Sequence, residues 1–190
     1  MIKLNEEICE FVGAFIGDGY LGNYGKRKNQ FLIGFSGHKI LDEDYLKNHL
    51  LPLIKRQFPY TSPHLRYRSD ENTLVLYIYS KRLFEFFTGI GFKPGIKART
   101  VVIPKCIEDD EKLLKAAIRG IFDTDGCLYF DNRKNYKKPY PRIVIQVASI
   151  PLIKQLNKHL SKEFTLYVDT SNRDGKRNTL EIYGHHQLER

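Results

Sequence analysis

Residues Glu7 to Gly19 read EICEFVGAFIGDG, and residues Leu114 to Gly126 read LKAAIRGIFDTDG. Apolar side chains recur at helical spacing in both. Gly13 precedes Asp18 by the same five positions that separate Gly120 from Asp125, and each aspartate is followed by glycine. One offset of 107 residues relates the two stretches, which marks a chain made of two related units. The glycine after each aspartate suits the left-handed residue that ends many helices. The aspartate does not suit its place: a carboxylate near a helix C-terminus opposes the helix dipole, at a cost of about 0.3–1 kcal/mol. Two such acids at matched positions serve something other than helix stability.

Downstream of each Asp-Gly the two units match in order. Tyr20 to Lys28 returns through Phe31 to Phe35, and Cys127 to Lys134 returns through Arg142 to Val147, each an alternating run around a turn. Amphipathic helical stretches come next, through Leu46, Leu50, Leu53 and Ile54 in one unit and Leu152, Ile153, Leu156 and Leu160 in the other. A second hairpin closes each unit, His64–Tyr79 and Thr165–Tyr183. The reading is an α+β fold of two pseudo-symmetric αββαββ(α) lobes, residues 1–104 with a connector and residues 105–190. Gly13, Ala14 and Gly17 in one motif, and Ala116, Ala117 and Gly120 in the other, lack bulk and allow two backbones to approach. Packed together, those helices bring Asp18 and Asp125 side by side. Their mutual repulsion, facing two negative helix ends, calls for a divalent cation.

Composition agrees with a folded, anion-binding chain. The 190 residues carry a net charge of +9, 42% hydrophobic and 13% aromatic residues, too apolar for a disordered basic tail. Such a basic surface attracts a polyanion, and nucleic acid is the commonest inside cells. No apolar run reaches 18 residues, so no membrane partner is expected, and the N-terminus lacks the layout of a signal peptide, so an intracellular chain is expected. Three scattered cysteines with no C-x-x-C argue against a disulfide frame or structural zinc. No Walker loop or G-x-G-x-x-G is present, so no nucleotide cofactor is expected.

Phe11–Gly19 (FVGAFIGDG) and Ile118–Gly126 (IRGIFDTDG) resemble the two namesake motifs of the LAGLIDADG homing endonucleases. The second copy is closer, since Ile16 stands where Asp123 keeps the motif's central aspartate. The resemblance spans nearly the whole chain and implies a monomer of the single-chain, two-motif type, with the motif helices at the lobe interface and the sheets forming a DNA saddle. The connector Gly95–Pro104 resembles the basic segment joining the lobes of archaeal members, which makes an archaeal source the expected one. The resemblance further implies that Asp18 and Asp125 bind Mg²⁺, with Mn²⁺ substituting, helped by the backbone carbonyls of Gly17 and Thr124. It implies a long double-stranded DNA site, cut once in each strand, with Lys97 at the rim of the active site as a third catalytic residue. His38, near the end of the second strand, matches a polar position that organises solvent or contacts DNA.

A two-stranded ribbon fits the major groove, where Arg and Lys read guanine and Asn and Gln read adenine, with remaining charge on phosphates. The candidate readers are Asn23, Tyr24, Lys26, Arg27, Lys28, Asn29 and Gln30 in the first hairpin. Asn132, Arg133, Lys134, Tyr136, Lys137, Lys138, Arg142 and Gln146 occupy its counterpart. The outer hairpins add Arg66, Arg68 and Tyr77, then Arg173, Lys176 and Arg177.

Two decoys fall away. Asp110-Glu111-Lys112 contains the D-x-K fragment of another nuclease class but reads as a charged helix start. His185-His186 lacks partners at ligand spacing. A rival function remains: a nucleic-acid binder on the same scaffold that does not cut, such as an intron maturase or a regulator. Finally, the first unit continues into a helix bearing Leu83, Phe84, Phe86 and Phe87, whereas His185–Arg190 offer one turn. The second lobe is expected to leave apolar surface exposed and to be the less stable.

Overall fold

A computed structural model describes residues 2–24, 29–69, 71–133, 138–171 and 178–188. The first half runs α1 (Glu6–Asp18), β1 (Gly19–Tyr24), β2 (Gln30–His38), a π-helix (Tyr45–Leu50), α2 (Leu51–Gln57), β3 (His64–Tyr67), β4 (Thr73–Tyr79) and α3 (Lys81–Gly89). The second begins with a single turn, α4 (Lys105–Glu108). It continues through α5 (Glu111–Asp125), β5 (Gly126–Asp131), β6 (Tyr140–Val147), α6 (Ile150–Leu160), β7 (Leu166–Asp169), β8 (Asn178–Tyr183) and α7 (His185–Leu188). Each half holds one antiparallel sheet, ordered β1-β2-β4-β3 and β5-β6-β8-β7. The registers match as well: Gly19 pairs with Phe35 as Gly126 pairs with Ile145. The fold is the α+β arrangement of two αββαββ units read from the sequence.

Helices α1 and α5 start on side-chain caps: the Asn5 side chain accepts from the Ile8 amide, and Asp110 accepts from Lys112 and Leu113. Asp110 is thus a capping residue. The two helices pack against each other backbone to backbone. A Cβ on Gly13 would stand 2.9 Å from the Ala117 carbonyl carbon, and one on Gly120 would stand 2.7 Å from the Ala14 nitrogen. No side chain fits at either place.

The glycines after the motif aspartates depart from expectation. Gly19 has φ −77° and Gly126 φ −99°, both extended, so each helix runs straight into a strand without a left-handed turn. Their lack of a side chain is needed for space: a Cβ on Gly19 would lie 2.6 Å from Phe15 Cα, and Gly126 meets the Phe122 ring and carbonyl. The first connecting helix also differs. Pro52 has no N–H and its ring crowds the preceding turn, and the turn before it opens to a π-helix in which the Leu51 amide donates to Leu46 five residues back.

The first half packs its sheet under α1 and α3 through a phenylalanine cluster. Phe11 meets Phe35, Phe58 and Phe87 at 5.2–5.6 Å between centroids, and Phe15 meets Phe87 at 4.1 Å and Phe92 at 4.9 Å. Among the described residues, the second half has α7 as the counterpart of α3. Leu21 is 4% exposed, while its counterpart Leu128, 107 residues on, is 54% exposed. Phe130 on the same strand is also exposed. The connector is anchored to the second half: Ser149 Oγ donates to Val101 at 2.6 Å, and Gln155 exchanges two hydrogen bonds with Ile103. No described helix is long and apolar enough to cross a membrane.

Candidate nucleic-acid interface and carboxylate cleft

Because α1 and α5 are in backbone contact and end together, Asp18 and Asp125 line one open cleft of about 470 Å³. Thr124, Asp123, Tyr45, Ser36 and His38 share its wall. The missing side chain of Gly17 lets the Thr124 side chain and the Asp125 carboxylate close up against α1: a Cβ on Gly17 would stand 2.7 Å from Thr124 Cβ and 3.2 Å from Asp125 Oδ2. The Thr124 hydroxyl turns back onto its own helix, donating to Gly120 and Ile121.

Lys97 reaches the end of α1. Its ammonium donates to the carbonyls of Ile16 at 2.5 Å and Gly17 at 2.9 Å, and it lies 5.5 Å from the Phe15 ring centroid. The ammonium therefore occupies the C-terminal end of α1, where the helix dipole favours a cation. Burial lowers its pKa to about 8, against the pull of Asp125 and Asp18. The Gly17 carbonyl, assigned to a metal by resemblance, here accepts from Lys97.

His38 joins two roles. Its Nδ1 accepts from the Ile40 and Leu41 amides at 3.3 Å, capping the turn after β2, while the residue also lines the cleft. Tyr45 stacks on His49, at 5.4 Å and 20°. Its phenol is pushed well above the usual range by burial and then by Asp123, Glu10 and Asp18.

The register sorts the candidate DNA readers by face. In the first sheet, Tyr20, Gly34, Tyr77 and His64 form one cross-strand row on the side away from the helices. Tyr24, Gln30, Ser36, His38, Tyr79 and Arg66 share that side. In the second sheet, Tyr129, Arg142 and Tyr183 form a row on the corresponding side, with Tyr140, Gln146 and Tyr167. Tyr20, Tyr129, Tyr167 and Tyr183 are additions to the candidate readers. Basic charge does not single them out, whereas strand alternation places all four on the open sides.

Two candidates are corrected. Asn23 alternates onto the helix side with Leu21, half-buried, so it does not face the open side. Arg142 is on the open side but is spent internally, paired with Asp131 at 3.1 Å and Glu181 at 2.5 Å. Arg133 likewise pairs with Asp131, and Arg68 with Glu71. Asn29, Asn132 and Lys138 are exposed. Lys26, Arg27, Lys28, Lys134, Tyr136, Lys137, Arg173, Lys176 and Arg177 lie outside the described residues.

No protein-family model matches the chain. It is similar to the replication factor C small subunit of Methanocaldococcus jannaschii, 34% identical over 122 residues, 64% of this chain and 6% of that protein. An uncharacterized protein of the same organism is 21% identical over 176 residues, 90% of this chain and 62% of that protein. The chain therefore spans less than two thirds of either relative. Among solved structures, the homing endonuclease I-DmoI in complex with DNA and Ca superposes with TM-score 0.70 at 14% identity, over 97% of this chain and 86% of that one. I-WcaI bound to its DNA recognition sequence gives 0.55 at 18% identity, over 96% and 77%. The N-terminal LAGLIDADG domain of WhiA gives 0.54 at 16%, over 99% and 80%. With a motif copy closing each central helix and opening each four-stranded sheet, the chain has the fold of these LAGLIDADG structures.

Proposed function

We propose that the protein is a site-specific endonuclease that hydrolyses one phosphodiester in each strand of duplex DNA with divalent metal. The observation that carries this is the convergence of Asp18 and Asp125 in one cleft, from the ends of two helices locked by glycine contacts. Solved I-DmoI structures hold DNA with Ca or Mn, which supports the same partner and cation class here. The donor set fits magnesium, with manganese as substitute: two carboxylates on an open cleft with space for waters and phosphate oxygens. When bound, the cation lowers the pKa of a coordinated water and stabilises charge developing on phosphate.

The chain's own groups set the geometry. Asp18 and Asp125 supply the metal-binding carboxylates, with Gly17 and Thr124 beside them. Lys97 holds the end of α1 and brings a positive charge to the reacting phosphate. The tyrosine-rich sheet sides and the basic hairpin turns hold and read DNA. The division into lobes at residue 104 belongs to this reading, each lobe engaging half of a long site by a monomer.

The test is linearisation, in Mg²⁺, of a plasmid library bearing randomised sites, with sequencing of the cut site. Asp18→Asn and Asp125→Asn should each abolish cutting while DNA affinity stays within a few-fold. A DNA binder that does not cut is the second reading, since the LAGLIDADG domain of WhiA shares the fold with the homing endonucleases. Binding of a defined site with no cutting in Mg²⁺ or Mn²⁺ would establish it instead.

A further inference from the structure

A second cluster of metal-ligating side chains lies on one side of the central helix pair. Glu10 of α1, His49 of the π-helix and Asp123 of α5 bring their ligand atoms within 4.8 Å of one another. We propose that these three residues form a transition-metal site, with zinc the ion of best fit, joining the two halves of the chain. The inference is independent of DNA cleavage.

The donor chemistry selects the ion. Two carboxylate oxygens and one imidazole nitrogen make a set that zinc accepts and leave a fourth position for water, whereas magnesium prefers oxygen alone. Glu10 is suited to the role because its two oxygens are already differentiated. Arg119 holds Oε2, with its Nε at 2.8 Å, and Oε1 faces His49 Nε2 at 2.5 Å. The Glu10 side chain is 6% exposed, so its charge is taken out of water. With His49 neutral, Glu10, Asp123 and Arg119 sum to one negative charge beside Asp18 and Asp125. Tetrahedral zinc with bonds of about 2 Å keeps its ligands about 3.3 Å apart. His49, with its side chain 48% exposed, has room to move out by that margin.

Three further observations point to a ligand. The helix pair does not need Arg119 or Glu10 there: at the 107-residue offset they correspond to Val12 and Ala117, both buried and apolar. The imidazole is oriented, since Tyr45 stacks on it at 5.4 Å and 20° across one turn of helix. The Tyr45 hydroxyl is itself buried and without a hydrogen-bond partner among the described residues, within electrostatic reach of Glu10 and Asp123. It would meet the water on the open position.

The experiment is equilibrium dialysis of the 190-residue chain against Zn²⁺, with bound zinc counted by atomic emission and melting followed by circular dichroism. Wild type should retain one zinc that excess Mg²⁺ does not displace, and should melt at higher temperature with zinc. His49→Ala should weaken that zinc by at least about tenfold and lose the melting shift. Asp123→Asn is the second variant, should His49→Ala not fold. Asp18→Asn and the double variant His185→Ala, His186→Ala should keep the zinc, which distinguishes this site from the Asp18–Asp125 pair, whose cleft Asp123 also lines, and from the terminal histidines. Absence of retained zinc in wild type, or zinc unchanged in both His49→Ala and Asp123→Asn, would overturn the proposal and leave a plain ion-pair network.

Discussion

The Lys97 ammonium and the Gly17 carbonyl are joined by a hydrogen bond of 2.9 Å that spans 80 residues of sequence. Through it the connector between the halves reaches the end of a motif helix and sets a cation beside both acids. Lys97→Met should therefore reduce single-turnover cleavage by about 10²-fold, the usual loss for one electrostatic donor at a reacting centre. DNA affinity should stay within a few-fold, measured by gel shift. Equal loss of binding and cutting would make Lys97 a DNA contact and no more.

The helix contact at Gly13 and Gly120 gives a stability prediction. Adding one methyl at either glycine forces a main-chain carbonyl or nitrogen to retreat. Gly13→Ala and Gly120→Ala should each cost about 1–3 kcal/mol in urea unfolding, the range for overpacking. Gly89, with nothing within 4 Å of a built Cβ, is the control. Gly89→Ala should change stability by less than about 1 kcal/mol.

The uneven cover over the two sheets predicts uneven stability. Leu21→Ala removes a buried side chain and should cost about 2–5 kcal/mol. Leu128→Ala, at the matching position but 54% exposed, should fall within about 0.5 kcal/mol of wild type. Hydrogen exchange should show amides of β5 and β6 opening at lower free energy than those of β1 and β2. Equal protection of both sheets would mean that α7 suffices as cover.

Glu108 gives a pH signature. Hydrogen bonds from Lys158 and His159 lower its pKa to about 2, and Gln155 adds a third. A carboxylate lowered on folding contributes stability that is fully present above its unfolded value near 4.5 and lost as pH falls toward 2. Glu108→Gln should cost about 1 kcal/mol at pH 7, because the Lys158 side of the pair is 63% exposed and screened by solvent. The difference from wild type should shrink between pH 4.5 and 2, measured by urea unfolding across that range.

Much of this architecture is legible in the chain because it is written twice. The spacing of Gly13 and Asp18 against Gly120 and Asp125 locates the central helices, and period-two alternation locates the strands. The features that escape the sequence are three-dimensional. Gly19 and Gly126 read as left-handed turns because local sequence cannot tell a glycine chosen for its φ from one chosen for space. Asn23 looks like a groove reader by residue type, yet strand register turns it toward the helices. Glu10, His49 and Asp123 are far apart in sequence, and no local pattern announces that they meet. The π-helix is hidden because its apolar spacing passes for an ordinary helix until Pro52 is weighed.

The glycine contacts have an evolutionary consequence. Where side chains separate two helices, their spacing drifts whenever a side chain is exchanged; here main-chain atoms set it, and no substitution short of losing a glycine retunes it. In the endonuclease reading, the stagger between the two cuts is inherited unchanged. The hairpin residues are under no such constraint and are free to vary with each new target. In that reading a change of DNA target is made in the outer strands, while the spacing of the two acids stays as it was.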